Sequence, residues 1–461
     1  MSSLLITGAR VVTAADDYVA DVLVENGRVT TIGASLPAVA DKVIDASGCY
    51  LLPGGVDPHT HLASRLGSGT TTADDYESGT IAAAFGGTTT IVNFAQQRPG
   101  QHLRAAIEDG MAAAEGKAVI DYGQHIVITQ LDEGSLGQID ELADEGVTSV
   151  KLFMAYPGEL MVDDAVLFQV LERAGQVGSL VCVHAENGPV IDVLVRRALA
   201  AGRTGPSWHG RTRPVLAEAE ATHRAIAVAE MADAPVYFVH LSCTEALAEV
   251  TAARDRGRPV FAETCPHYLF LDSGVYDDES FDTAKYVLTP PLRDASHHEA
   301  LWRGLRGGDV QVVSTDHCPF CLNGQKTLGR GDFSKIPNGG PGIEHRLALL
   351  YSGVVAGNLS LRRMVEVFAA APARLFGLYP RKGTIAVGSD ADLVVFDPAA
   401  RTTISAATHH MNVDYSLYEG WELTGAVRTV IAAGAPVVEN GLFVGTPGAG
   451  RHLSRQASGQ S

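Results

Sequence analysis

Between residues 54 and 378 one texture recurs eight times: a short β-branched run, then a longer stretch rich in Ala, Leu and Glu. The runs fall at 55–59, 88–93, 122–128, 148–153, 180–184, 236–240, 260–264 and 310–316. Helical stretches such as 101–115, 165–177, 217–232 and 246–255 separate them. Such alternation is the pattern of parallel βα units, and eight units predict an α/β fold, a TIM (β/α)8 barrel. A doubly wound sheet would carry a Gly-rich phosphate loop after an early strand, and no such motif is present.

Both ends of the chain read differently. Short strands at 4–6, 11–13, 21–24, 29–32 and 42–45 are separated by turns, and the Asn26-Gly27 pair is a hairpin signal. After about residue 378, runs at 382–385, 391–397, 427–431 and 436–438 are β again, and Asn440-Gly441 repeats the hairpin pair. This predicts a small β-sandwich domain built from 1–53 together with 379–461, with a catalytic barrel, 54–378, inserted between. The polar, Gly-rich stretch 448–461 predicts a loose tail or an arm on a neighbouring subunit.

Composition narrows the partners. With 35 basic and 53 acidic residues, the net charge of −18 argues against nucleic acid and anionic membranes. The six cysteines include one close pair, Cys318 and Cys321, with no second pair to complete a zinc ribbon. They read as thiols of a reducing compartment. The first residues lack a signal-peptide pattern and no run is long and apolar enough to span a bilayer, so a cytoplasmic location is expected.

The polar residues at the ends of the runs carry the chemistry. His59 and His61 form an H-x-H at the end of the first, where residues two apart share one side. Lys151 lies in the fourth, His184 ends the fifth, His240 the sixth and Asp316 the eighth. In a TIM barrel the catalytic groups gather at these C-terminal strand ends. One histidine there is more often a hydrogen-bonded structural residue, but six such groups would be costly to bury unless they held metal. A bare Lys151 ammonium among four imidazoles would repel a cation. Carboxylated by carbon dioxide, it would become an anionic oxygen donor able to bridge two ions, which suits a two-metal hydrolase.

Nearly the whole chain resembles the cyclic amidohydrolases, in particular the dihydropyrimidinase and D-hydantoinase branch. The resemblance rests on Gly54-Gly-Val-Asp-Pro-His-Thr-His61, Thr72-Ala-Asp-Asp-Tyr-Glu-Ser-Gly79, Val150-Lys-Leu-Phe-Met-Ala-Tyr156 and Val183-His-Ala-Glu-Asn187. It continues through Thr264-Cys-Pro-His-Tyr268, Thr289-Pro-Pro-Leu-Arg293, Ser314-Thr-Asp-His-Cys-Pro-Phe320 and 335–344. It implies two zinc ions, with His59, His61 and Asp316 on one, His184 and His240 on the other, and Lys151, as N6-carboxylysine, bridging them. It implies that Tyr156 polarises the substrate carbonyl, that Asp316 moves the proton, and that Thr289 and Asn338 hold the cyclic amide by main-chain groups. Thr289 stands where the family more often has Ser. His317 is expected to support the site.

The activity implied is opening of a dihydropyrimidine or 5-substituted hydantoin ring to an N-carbamoyl amino acid, by a homotetramer or homodimer. Allantoinase and dihydroorotase are the alternatives within the family. A scaffold relative of the dihydropyrimidinases, without metal ligands or activity, is the alternative outside enzymology. Leu66, Phe94, Phe153 and Leu160 are expected to wall the ring substituent, and Arg65 to favour an anionic or polar exocyclic group. The aromatic-rich segment 412–421 is expected at a subunit contact.

Overall fold

The computed structural model describes residues 3–65, 69–132 and 134–457. Eight parallel strands form one sheet: β6 (Gly55–Thr60), β7 (Thr88–Gln96), β8 (Asp121–Val127), β9 (Ser149–Phe153), β10 (Leu180–His184), β11 (Val236–Phe238), β12 (Val260–Thr264) and β13 (Val312–Val313). Each pairs with its sequence neighbour. The ends of the sheet meet through a parallel bridge between Thr60 and His317 and a bond from the His61 N–H to the His317 carbonyl, 2.9 Å. Buried Arg346 staples this seam, donating to the carbonyls of Val56, 2.9 Å, and Val313, 3.1 Å. Helices lie where the Ala- and Leu-rich spacing predicts them, among them Leu103–Ala114, Asp164–Gln176, Val215–Met231 and Thr244–Asp255. The Asp163 carboxylate caps the second of these by accepting from the Val166 N–H, 2.9 Å.

Two strands stop short of the predicted bounds. β11 ends at Phe238 and β13 at Val313, because the following residues leave the ladder. His240 and Asp316 sit at φ +43° and +46°, a left-handed conformation rare for non-glycine residues, which turns their side chains across the barrel mouth.

The two ends of the chain share a second, largely antiparallel sheet. It contains β1 (Ser3–Val12), β2 (Asp17–Glu25), β3 (Arg28–Gly33), β4 (Lys42–Asp45) and β5 (Tyr50–Pro53), with β14 (Leu393–Thr403), β15 (Glu422–Ala432), β16 (Ala435–Glu439) and β17 (Leu442–Phe443). β5 pairs with β14, joining the two halves. Ile6, Val22, Val24, Leu51, Leu393, Val395 and Ile431 belong to one buried cluster within it. Both Asn-Gly pairs form hairpin turns with positive φ at each residue, as a type I′ turn requires. The runs predicted at 4–6 and 11–13 are one strand, bent by a bulge between Ile6 and Ala9. No strand forms at 382–385. Lys382 is instead buried, its Nζ 2.7 Å from Asp121, 3.2 Å from Asp390 and in contact with Asp392, and this ion cluster holds the segment.

The segment 412–421 folds back on its own chain, burying Tyr415, Leu417 and Tyr418. Residues 448–457 are no loose tail. Leu453 donates to the Tyr122 carbonyl, 2.8 Å, and packs with Val56, Val92, Ala373 and Leu378 below the barrel. Arg455 is buried, its Nη2 donating to the Gln124 carbonyl and to Ser149 Oγ, 2.8 Å. Ser149 Oγ lies 2.6 Å from His125 Nδ1, and His125 Nε2 lies 2.8 Å from the Pro58 carbonyl, one residue before His59. Truncation after Pro447 is therefore expected to cost about 3 kcal/mol or more from Leu453 burial and the Arg455 bonds. The melting temperature should fall by several degrees in a thermal unfolding scan; an unchanged value would show that this arm closes nothing.

Candidate metal centre

The barrel mouth collects the predicted residues into two neighbouring groups. At the end of β6, His59 Nε2 and His61 Nε2 are 3.3 Å apart, and Asp316 Oδ1 lies 3.0 Å from the first and 3.3 Å from the second. These three donor atoms lie within 4.8 Å of one another. In the second group, His184 Nδ1 at the end of β10 is 2.9 Å from His240 Nε2. The rings of His59 and His240 are 5.5 Å apart, which places the groups side by side.

Lys151 lies between them. Its Nζ sits 5.1 Å from the Phe94 ring centre and 4.8 Å from that of Phe153, and no carboxylate among the described residues forms an ion pair with it. Its charge lowers the pKa values of His61, His184 and His240, secondary to their burial. Burial in turn lowers Lys151 to about 8, despite the carboxylates of Asp316 and Glu263.

Two buried glutamates orient the imidazoles, and sequence reasoning did not single out either. Glu263 on β12 contacts His59 Nδ1 through one oxygen and accepts from the Tyr237 hydroxyl, 2.8 Å, through the other. Glu186 lies 2.8 Å from His184 Nε2. A carboxylate on the far nitrogen fixes the ring and raises its basicity, the usual support of a metal-binding histidine. For Glu263 the readable signal was a glutamate inside a short parallel strand; Glu186 lies two residues past the end of β10. Burial disfavours a charged His59, yet Asp316 and Glu263 outweigh it and push its pKa up to about 9. Asp316 is held well below the usual carboxylate range: burial opposes this, and His59 prevails. Positive charge is thus favoured on His59 and disfavoured, chiefly by burial, on His61, His184 and His240. The donors of the two groups are imidazole nitrogens and a carboxylate oxygen, a set that fits a divalent cation such as zinc.

Above the two groups, Tyr156 sits at φ +65° and its hydroxyl meets the side chains of Thr289 and Asn338. Burial raises its pKa to about 12, so it keeps its proton and can donate. Phe94 stacks on His61, ring centres 5.0 Å apart, and Phe153 on His184, 5.4 Å apart. Tyr156 and Leu160 pack against the cluster that Phe94 and Phe153 form with Val127. These residues form an apolar cluster beside the histidines. Leu66 lies outside the described residues, and Arg65 is exposed.

His317 is fully buried behind Asp316. Its Nε2 lies 2.9 Å from Asp74, and its Nδ1 accepts from the Gly342 N–H, 3.2 Å. It ties the loop after β6 to the segment that carries Asn338. Cys318 and Cys321 are free thiols, as are buried Cys182 and Cys243.

Comparison with known proteins agrees with this geometry. The amidohydrolase family matches residues 50–437. A D-hydantoinase of Streptomyces coelicolor is 55% identical over 98% of this chain and 98% of its own. One of Geobacillus stearothermophilus is 49% identical over 99% and 97%. The crystal structure of a dihydropyrimidinase from Brevibacillus agri superposes with a TM-score of 0.98 at 50% identity, covering 100% of both chains. An L-hydantoinase (dihydropyrimidinase) from Arthrobacter aurescens superposes at 0.89 and 30% identity, covering 99% of this chain and 100% of its own. On its strand order, its paired donor groups and these likenesses, the chain belongs to the amidohydrolase family.

Proposed function

We propose that the protein is a binuclear-metal hydrolase that opens the cyclic amide bond of 5-substituted hydantoins or dihydropyrimidines to give N-carbamoyl amino acids. The observation that carries this reading is the meeting of two donor groups around buried Lys151, with the Tyr156 ring 5.6 Å from that of His184. In this reading His59, His61 and Asp316 hold one ion and His184 and His240 the other, both zinc. Lys151, carboxylated by carbon dioxide with loss of a proton from its amine, would supply an anionic oxygen donor to the ions. Two such ions supply Lewis acidity and make water nucleophilic near neutral pH.

The protein's own residues do the rest. Asp316 accepts the proton of the attacking water and passes it to the ring nitrogen as the C–N bond breaks. Tyr156 donates to the carbonyl oxygen as it gains charge. Main-chain groups of Thr289 and Asn338 fix the ring, and Phe94, Phe153 and Leu160 keep bulk water from it. No helix among the described residues is long and apolar enough to cross a membrane. A homotetramer or homodimer, on the strength of the resemblance, and a cytoplasmic location complete the reading.

The test is turnover by purified protein of measured metal content, on dihydrouracil beside hydantoins with small and aromatic 5-substituents. About two metals per chain with hydantoin turnover is expected. Two metals without turnover would move the substrate elsewhere, allantoin first. Absence of both would overturn the ligand assignment.

A further inference from the structure

Thr289 and Asn338 lie on two separate segments without regular secondary structure. Among the described residues, neither backbone N–H donates to a protein acceptor. What fixes these two peptides is a pair of buried side chains behind them.

Lys326 is wholly buried and makes no ion pair among the described residues. Its Nζ donates to the carbonyls of Val287, 2.9 Å, and Pro337, 3.0 Å. It therefore joins the two segments. The Pro337 carbonyl and the Asn338 N–H belong to one peptide group. The second side chain is His209. Arg213 Nη1 lies 3.2 Å from His209 Nδ1, and a guanidinium can only donate, so the proton of the neutral ring sits on Nε2. That nitrogen is 2.9 Å from the Leu288 carbonyl and 3.2 Å from Thr289 Oγ1. The Leu288 carbonyl and the Thr289 N–H again belong to one peptide group.

The arrangement is the same twice: a buried donor grips the carbonyl of a peptide whose N–H is left free. A donor on the carbonyl polarises the peptide and strengthens its N–H as a donor, and it fixes the peptide plane. A buried, unpaired ammonium is expensive, and an apolar side chain could fill the same space without that penalty. Burial lowers Lys326 to about 7, with the Cys318 thiol acting in the opposite sense.

We propose that Lys326 and His209 are positioning residues for the substrate, each locking by its carbonyl the peptide that offers an N–H to the ring. The inference rests on the cyclic-amide reading above and extends it to residues that touch neither ring nor metal.

The test compares zinc-loaded wild type with Lys326→Met, His209→Leu and His209→Gln on one 5-substituted hydantoin. Lys326→Met and His209→Leu are each expected to raise KM about tenfold, the scale of one preorganising hydrogen bond. kcat should change less than about threefold and metal content should stay at that of wild type, because the lost interaction binds ground and transition states alike. His209→Gln, whose amide can still donate to the Leu288 carbonyl, should recover most of the loss. Unchanged KM values would overturn the proposal, as would kcat and metal content falling together without rescue by glutamine. If Lys326→Met does not fold, the His209 pair decides. Failure of wild type itself to turn over the hydantoin would overturn the underlying reading, and this proposal with it.

Discussion

Tyr156→Phe is expected to lower kcat by about 10²- to 10³-fold, the usual cost of losing one donor to a developing oxyanion. The phenyl ring would keep the contacts with Phe153, Leu160 and His184, so the fold and the donor groups should survive. What disappears is a hydroxyl that burial has kept protonated, with a pKa of about 12. Steady-state kinetics with parallel metal analysis checks this. A variant with full metal content and wild-type kcat would remove Tyr156 from the chemistry and leave it as packing.

Lys151→Met is expected to reduce bound metal from two per chain towards one and kcat by about 10³-fold or more, since an ion contributes several kcal/mol to a developing charge. Methionine has nearly the same length and keeps an apolar stem between Phe94 and Phe153, so the effect isolates the nitrogen and the carbamate built on it. Elemental analysis beside kcat measures both. Two tightly held ions with undiminished turnover would show that Lys151 bridges nothing.

Much of the site was readable because a parallel barrel gathers strand ends. Once eight β-branched runs are recognised, His59, His61, Lys151, His184, His240 and Asp316 must all lie near one mouth. The missed features depend on pairing across long sequence distance. Glu263 and His59 are partners through the barrel interior, and no local pattern links them. The left-handed turns at His240 and Asp316 are forced by the need to aim side chains across the mouth, so β propensity overran the true strand ends. Lys382 looked like the start of a strand because its attraction to Asp121, far off in the sequence, is invisible locally. The segment 448–457 looked loose because its glycines and polar residues mark a mobile end, while Leu453 and Arg455 anchor it.

The pairing of β5 with β14 bears on how the chain is made. The two strands meet edge to edge, yet about 340 residues separate them. At roughly 5–20 residues per second, translation needs between about 17 and 70 s to cover that span. Throughout that interval β5 presents an unpaired edge of apolar residues, Leu51 and Leu52 among them, to the crowded solution around the ribosome. Soluble yield should therefore depend on how quickly the barrel is finished relative to how often two nascent chains meet. Fewer chains in synthesis at once, or a chaperone that shields an open strand edge, should raise the recovered fraction without any change in the stability of the finished protein.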